Sequence, residues 1–203
     1  NQAKNSQQSL KVYQSGQDEN YKRQLNIIGD IKTALTNGDI YLVFHPKINF
    51  KSGSCNSLEA LVRWNHPTLG LISPEEFIRL AENSGNIKMI SEWVVQSVIE
   101  QMQLWRSSGL DINVSINISA DDLVDASFNQ LVKGLLDNHS INSNSLTFEI
   151  TETVIMDEPE VAIESMLFFK NLGINLSIDD FGTGYSSLEY LKRLPANELK
   201  IDK

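Results

Sequence analysis

From residue 57 onward, short β-rich runs alternate along the chain with amphipathic helical patterns. We predict strands at residues 57–64, 112–118, 145–150, 174–178 and 198–201, and helices at residues 73–83, 87–106, 128–138, 159–172 and 187–194. Parallel strands need a long crossover between them, and a helix is the usual one. The pattern therefore predicts an α/β protein, either an open doubly wound sheet or a barrel of the (β/α)₈ type.

Two observations favour the barrel over the open sheet. No glycine-rich dinucleotide-binding loop follows the first strand of the repeat. Polar side chains also stand at the ends of several strands in turn, and in a barrel those ends meet on one face. We therefore expect a TIM-like barrel with its functional groups on that face.

The segment before the repeat is predicted to hold a helix and then a hairpin. A helix is indicated by apolar residues at three- and four-residue steps, namely Leu25, Ile28, Ile31 and Leu35. A strand over residues 41–44 should end at His45-Pro46 or become an edge strand there, because proline has no N–H to donate to a neighbouring strand. A turn at residues 51–54 then returns the chain into the strand at 57–64.

Two adjacent aspartates, Asp179 and Asp180, follow the apolar run 174–178 and precede a stretch rich in glycine and serine. Like charges at the end of a buried strand repel each other and are costly to desolvate. One interpretation is a helix N-cap with an acidic first turn. The other is a functional site, which we favour because further strand ends carry polar side chains: Glu59, Asn117, Glu149, Glu152 and Lys200.

Glu59 is unusual because it lies inside an otherwise apolar strand. Strand alternation places its side chain on the same face as Leu61 and Arg63. An ion pair with Arg63 would explain the buried acid structurally. A role in the strand-end site is the alternative, and both remain open at this point.

The strand-end residues are chemically suited to a divalent metal. Carboxylate and amide oxygens are hard ligands that fit Mg²⁺ or Mn²⁺, and the chain has no His/Cys set typical of zinc. Two such ions about 4 Å apart could clamp the attacking and leaving oxygens of a displacement at phosphorus. Lys200 could orient the attacking water or stabilise negative charge, and Arg63 could hold a phosphate or stack on a base.

Composition limits the class of partner. The 203 residues suit one domain, and a net charge of −9 argues against binding to a DNA or RNA polymer or to an anionic membrane through bulk charge. A single cysteine, Cys55, excludes an internal disulfide and is natural in the cytoplasm. There is no membrane-spanning run, no signal peptide and no initial Met, so we expect residue 1 to lie inside a longer polypeptide.

Five ordered motifs resemble those of EAL domains, which are bacterial phosphodiesterases that hydrolyse cyclic di-GMP to pGpG. The motifs are Glu59-Ala60-Leu61 with Val62-Arg63-Trp64, Asn117-Ile118-Ser119, Glu149-Ile150-Thr151-Glu152, Asp179-Asp180-Phe181-Gly182-Thr183-Gly184, and Lys200-Ile201-Asp202. The resemblance covers residues 21–203. It implies a TIM-like barrel whose first strand is antiparallel to the rest, in agreement with the expected hairpin.

The resemblance also implies a role for each matching residue. The metal ligands would be Glu59, Asn117, Glu149, Asp179 and Asp180. Lys200 would contact the catalytic water, beside the catalytic acids Glu59 and Asp179, and Glu152 would hold the loop 180–187 in place. Substrate contacts would come from His45, Leu61, Arg63 and Asp202. The same loop would take part in a homodimer and in coupling to regulatory domains.

The first twenty residues resemble the closing helix of a GGDEF domain, through Ala3-Lys4-Asn5 and Val12-Tyr13. This implies a division into the end of a GGDEF-like domain or linker, residues 1–20, and a partial EAL domain, residues 21–203. The parent would be a tandem GGDEF–EAL protein with upstream GGDEF or sensory domains. We expect it in the cytoplasm, where it could be anchored to the inner membrane.

Two departures from the family pattern affect the expected activity. His45-Pro46 stands where the family usually has Gln-Pro, a ligand-contacting position. The sequence also stops at Lys203, before the family's last strands, a later acidic ligand and a late glutamine, so the barrel would be incomplete and the 203 residues inactive on their own. A non-catalytic cyclic di-GMP receptor or a protein-interaction domain is therefore the alternative to the enzyme.

Overall fold

The computed structural model describes residues 17–157, 159–182 and 193–201, in which strands and helices alternate. The strands are β1 (Ile40–Lys47), β2 (Ser57–His66), β3 (Gly70–Ile72), β4 (Asn113–Asn117), β5 (Leu146–Thr151), β6 (Asn175–Phe181) and β7 (Glu198–Ile201). The helices are α1 (Gln17–Asn37), α2 (Pro74–Ser84), α3 (Ile87–Ser107), α4 (Ala120–Val124), α5 (Ala126–Asn138), α6 (Glu152–Asp157) and α7 (Pro159–Asn171).

The strands form one sheet in the order β1-β2-β4-β5-β6-β7, with β3 paired to β2. β1 and β3 are antiparallel to β2, whereas β2, β4, β5, β6 and β7 are parallel to one another. This confirms an α/β fold with an antiparallel first strand and helical crossovers. Within the described ranges, β1 and β7 are not paired with each other, so the barrel is not closed.

β1 is longer than predicted, because it continues through His45 and Pro46 to Lys47. Pro46 lies opposite Leu58 in the register of the hairpin. Among the described strands β1 is at the edge of the sheet, where a missing proline N–H does not interrupt a second row of hydrogen bonds. Of the two alternatives expected at His45-Pro46, an end of the strand or an edge strand, the structure shows the edge strand.

The two faces of the sheet have opposite character. The face toward the helices buries apolar side chains that are at most 3% exposed, such as Ala60, Ile116, Phe148 and Leu176. Residues one position away along each strand point to the other face. That second face carries the predicted strand-end residues, and the register sets Glu59 beside Ser115, Asn117 beside Glu149, and Thr151 beside Asp179.

Helix α1 packs on the core through a stripe that differs from the predicted one. Ile27, Ile31 and Ala34 are buried, whereas Leu25 is 50% exposed. At 100° per residue, Leu25 lies about 160° around the helix from Ile27, so it points away from the core. Arg23 then joins α1 to α2 through a two-pronged ion pair with Glu76, at 2.8 and 2.9 Å.

Helix α6 is absent from the predicted elements. Its sequence contains Thr153, Val154 and Ile155, and such β-branched residues lower helix propensity. Ile155 is only 1% exposed, which indicates that packing favours the helix here. The predicted helix at 187–194 and the assignment of residues 1–20 fall mostly outside the described residues, and α1 begins at Gln17 rather than at Tyr21.

Asp122 forms a capping box with Ser119 at the start of α4. Its backbone N–H donates to Ser119 Oγ, while its own Oδ2 accepts from Ser119 Oγ and from Ser91 Oγ, both at 2.6 Å. Burial raises the pKa of the Asp122 carboxyl, and these hydrogen bonds only partly offset it. The next cap behaves oppositely, because Lys88 and Ser127 lower the pKa of Asp125 to about 2.

In the part of the chain that the structure describes, none of the helices has the length and apolar character needed to cross a lipid bilayer.

The two caps should give opposite pH dependences of stability. The folded state keeps the Asp122 proton above the ordinary pKa of 3.8, so stability due to this group falls as the pH rises above that value. The folded state loses the Asp125 proton more readily, so its contribution is present above pH 3.8 and is lost toward pH 2. In urea unfolding, the free energy of unfolding of Asp122→Asn should increase relative to that of the wild type as the pH rises from 4 to 7.

Asp125→Asn is the matched control for this measurement. The wild type should exceed Asp125→Asn in free energy of unfolding by more at pH 5 than at pH 3. This pH dependence is opposite in sign to that expected for Asp122→Asn. The same pH slope in both variants would contradict the environments assigned to the two aspartates.

Candidate active site

Four parallel strands bring polar side chains together around one ammonium group. Lys200 on β7 places Nζ 2.6 Å from Glu149 Oε2 on β5 and 2.6 Å from Asp179 Oδ2 on β6. Glu59 on β2 has its Oε1 at 3.9 Å from the same nitrogen. Three predicted acids from three strands thus share one cation.

Asn117 connects β4 to this cluster. Its Nδ2 donates to Glu59 Oε1 at 3.1 Å, the same oxygen that lies 3.9 Å from Lys200 Nζ. Arg63 instead donates Nη1 to the carbonyl oxygen of Val62 at 2.8 Å. The interpretation of Glu59 as an ion-pair partner of Arg63 is therefore not supported.

The two adjacent aspartates both lie within β6 rather than at the start of a helix. The backbone N–H of Asp180 donates to Asp179 Oδ1 at 2.9 Å, which leaves Oδ2 of Asp179 for Lys200. Asp180 has a φ of 53°, in the left-handed region, and the pairing of β6 with β7 shifts register between Ile178 and Phe181. The chain therefore changes direction directly after Asp179.

Glu152 lies at the start of α6 and is only 3% exposed. Its Oε2 accepts a hydrogen bond of 2.8 Å from the backbone N–H of Gly182, whose φ of 99° is left-handed. The contact ties α6 to the beginning of the segment 180–187. The remainder of that segment lies outside the described residues.

The residues predicted to contact substrate share the sheet face of Glu59. The register places His45 opposite Glu59, and Leu61 and Arg63 follow on the same face of β2. His45 is exposed, while Leu61 and Arg63 are partly buried. Asp202 falls outside the described residues.

The sequence did not point to a second set of residues, which lies next to Glu149: Lys47, Ser115 and Glu198. Lys47 Nζ is 3.2 Å from each of three atoms: Glu149 Oε1, Ser115 Oγ and Glu198 Oε1. Each of the three missed residues stands two positions from a predicted one, since Lys47 follows His45, Ser115 precedes Asn117 and Glu198 precedes Lys200. Strand alternation could therefore have placed them on the same face.

Both lysines are held in the charged form. Burial by itself would lower the pKa of Lys200, but hydrogen bonds to Asp179 and Glu149 and the charges of Glu149 and Glu59 raise it well above the ordinary lysine value. Burial also opposes the charge on Lys47, and the charges of Glu149 and Glu198 outweigh it, so its pKa is raised too. At neutral pH both side chains act as fixed cations.

The donor set fits a divalent metal in its chemistry. The four acids that pair with the two lysines, Glu59, Glu149, Asp179 and Glu198, leave two negative charges uncompensated within this network. The Lys200 ammonium marks a point where carboxylate oxygens converge on a cation. No three His, Cys, Asp or Glu side chains within the described ranges already have the spacing of a ligand set, so small side-chain movements would accompany metal binding.

Comparison with known proteins gives consistent matches. The EAL domain family matches residues 28–203. The bifunctional diguanylate cyclase/cyclic di-GMP phosphodiesterase MucR of Pseudomonas aeruginosa is 40% identical over 192 residues, covering 94% of this chain and 28% of MucR. The cyclic di-GMP phosphodiesterase PdeR of Escherichia coli strain K12 is 38% identical over 174 residues, covering 86% of this chain and 26% of PdeR.

A solved structure extends the match to three dimensions. The PaMucR phosphodiesterase in complex with c-di-GMP superposes with a TM-score of 0.82 at 41% identity, over 87% of this chain and 72% of that chain. EAL structures are TIM-like barrels, and phosphodiesterases of this family generally depend on a divalent metal. The chain spans less than a third of the full-length relatives MucR and PdeR. The fold, the strand-end residues and the family match together show that this chain belongs to the EAL domain family.

Proposed function

We propose that the chain is part of a metal-dependent phosphodiesterase that hydrolyses cyclic di-GMP to the linear dinucleotide pGpG. The observation that carries the proposal is the convergence of Glu59, Glu149 and Asp179 on the Lys200 ammonium. The relatives MucR and PdeR are named as cyclic di-GMP phosphodiesterases. The receptor alternative has no comparable support, because the acids a hydrolase needs are present on successive strands.

Mg²⁺ or Mn²⁺ would be held by the oxygen donors at the strand ends, as a two-metal site. The proposed ligands are Glu59, Asn117, Glu149, Asp179 and Asp180. A divalent ion bound there supplies a more acidic water and offsets the negative charge of the phosphodiester. Glu149 Oε2 and Asp179 Oδ2 both lie 2.6 Å from Lys200 Nζ, so their carboxylates are near enough to serve one site.

The remaining residues act on the water and on the substrate. Lys200 stays protonated, so it donates a hydrogen bond to the attacking water and stabilises negative charge that develops at phosphorus. Arg63 can bind a phosphate through its planar guanidinium or stack on a guanine. His45, Leu61 and Asp202 complete the proposed substrate contacts. His45 can donate a hydrogen bond where the family has glutamine.

The loop that follows Asp180 is proposed to connect the site to other parts of the protein. Glu152 fixes its first residues through the Gly182 N–H. We propose that the segment 180–187 contributes to a homodimer and that an upstream GGDEF or sensory domain acts on the site through it. Because the proposed substrate is an intracellular messenger, the site would face the cytoplasm.

Asp179→Asn should reduce hydrolysis of cyclic di-GMP by more than about 100-fold, because the amide removes the charge of a proposed ligand and even residues behind metal ligands cost about 10–100-fold. The assay follows pGpG by chromatography with Mg²⁺ or Mn²⁺, in the full-length protein that carries the chain. Asp137→Asn, an equal change on the exposed side of α5, should leave the rate unchanged.

Retained turnover in Asp179→Asn would contradict the role of this carboxylate. Tight binding of cyclic di-GMP by the wild type without any pGpG would contradict the hydrolase and support the receptor.

Glu152→Ala should lower the rate by about 10–100-fold, because the Gly182 N–H loses its acceptor and the turn after Asp180 loosens. Glu152→Gln keeps an oxygen acceptor at the same position and should retain most of the activity. Steady-state kinetics of both variants give the comparison. If the two variants are equally impaired, the charge of Glu152 matters rather than its hydrogen bond, and loop support is the wrong assignment.

A further inference from the structure

Lys47 reaches the site from the amino-end side of β2. It is the last residue of β1, and because β1 is antiparallel to β2, it lies opposite Ser57 at the amino end of β2. Its long side chain nevertheless brings Nζ to 3.2 Å from Glu149 Oε1. Lys47 thus contacts Glu149 although it lies 102 positions earlier in the chain.

The two oxygens of Glu149 are shared between two lysines. Oε1 accepts from Lys47 and Oε2 accepts from Lys200. The Glu149 side chain is completely buried, so neither oxygen can turn to bulk water for a replacement partner. A buried carboxylate is costly unless it is paired and hydrogen-bonded, and the two contacts together fix the plane of the carboxyl group.

The partners of Lys47 hold its ammonium in one place. Lys47 Nζ also donates to Oγ of Ser115, which lies on β4, and to Oε1 of Glu198, which is the first residue of β7. The carboxylate of Glu198 is a second acid beside the Lys47 ammonium, in addition to that of Glu149. The three contacts come from three different strands, which restricts the rotamers open to Lys47.

From these contacts we propose that Lys47 is a positioning residue for the metal site. It holds Oε1 of Glu149 on the side away from Asp179 and Glu59. Glu149 therefore directs only Oε2 toward these two acids and would bind the metal through that one oxygen. The inference rests on the proposed function, because it concerns a proposed metal ligand. It adds a residue from the antiparallel first strand to a site otherwise built from parallel strands.

Lys47→Met provides a test in which two possible roles predict opposite results. Methionine keeps much of the length but neither donates a hydrogen bond nor carries a charge. If Lys47 acted only as a nearby positive charge, its removal would strengthen binding of a cation. If Lys47 positions Glu149, its removal should weaken Mn²⁺ binding by about 10–100-fold, as for other residues behind metal ligands.

The measurement is the Kd for Mn²⁺ without substrate, from the electron paramagnetic resonance signal of free Mn²⁺, in the full-length protein that carries the chain. Lys51→Met, an equal change at an exposed lysine in the β1–β2 turn, should leave the Kd unchanged. Lys47→Gln retains a neutral donor and should fall between wild type and Lys47→Met. Circular dichroism of the metal-free variants checks that each is folded.

Should Lys47→Met fail to fold, Glu198→Gln provides the same test, because it loosens Lys47 without altering Glu149 and should weaken Mn²⁺ binding several-fold. Unchanged or tighter Mn²⁺ binding in the folded variants overturns the positioning role. That result is distinct from failure of the proposed function, in which the wild type itself would bind no Mn²⁺ and produce no pGpG.

Discussion

The site depends on one completely buried carboxylate, that of Glu149, which is held between the ammonium groups of Lys47 and Lys200. Such a group is tolerated in a protein interior only when its charge is balanced and both oxygens are bonded. Here the balance comes from both ends of the strand order, since Lys47 lies on β1 and Lys200 on β7. The chemistry of the site and the integrity of the sheet are therefore supported by the same contacts.

This arrangement explains why the inner face of the sheet is polar. Barrel interiors are commonly filled by branched apolar side chains. In this chain Ser177 lies beside Glu149 in the register of the sheet, and Ser115 precedes its other neighbour, Asn117, by two residues; both serines are at most 1% exposed. Small hydroxyl side chains leave room for Lys47 to extend inward, and Ser115 gives it a partner. The apolar core lies on the other face, between the strands and the helices.

Much of the fold and of the site could be predicted from the sequence because strand alternation is a local signal. Asn117, Glu149 and Asp179 lie toward the carboxyl ends of short apolar strands, Glu59 lies inside one, and parallel strands place such residues on one face. Alternation alone would place Lys47 on the face of His45, but it does not reveal the contact with Glu149, because Glu149 is 102 residues away and the predicted first strand covers only residues 41–44. The course of β1 through Pro46 and the helix α6 depend on edge position and on packing, neither of which is visible in a local window.

The backbone at Asp180 restricts which residues can follow Asp179. Adjacent residues of a regular strand point to opposite faces, but the register shift and the φ of 53° interrupt that alternation, so two neighbouring acids need not be separated by the sheet. Aspartate and asparagine are the side chains other than glycine that best tolerate a left-handed conformation. If position 180 must also carry a negative charge, aspartate alone meets both demands. Among related chains, fewer residue types should therefore occur at position 180 than at position 178, where the side chain of Ile178 only has to be buried.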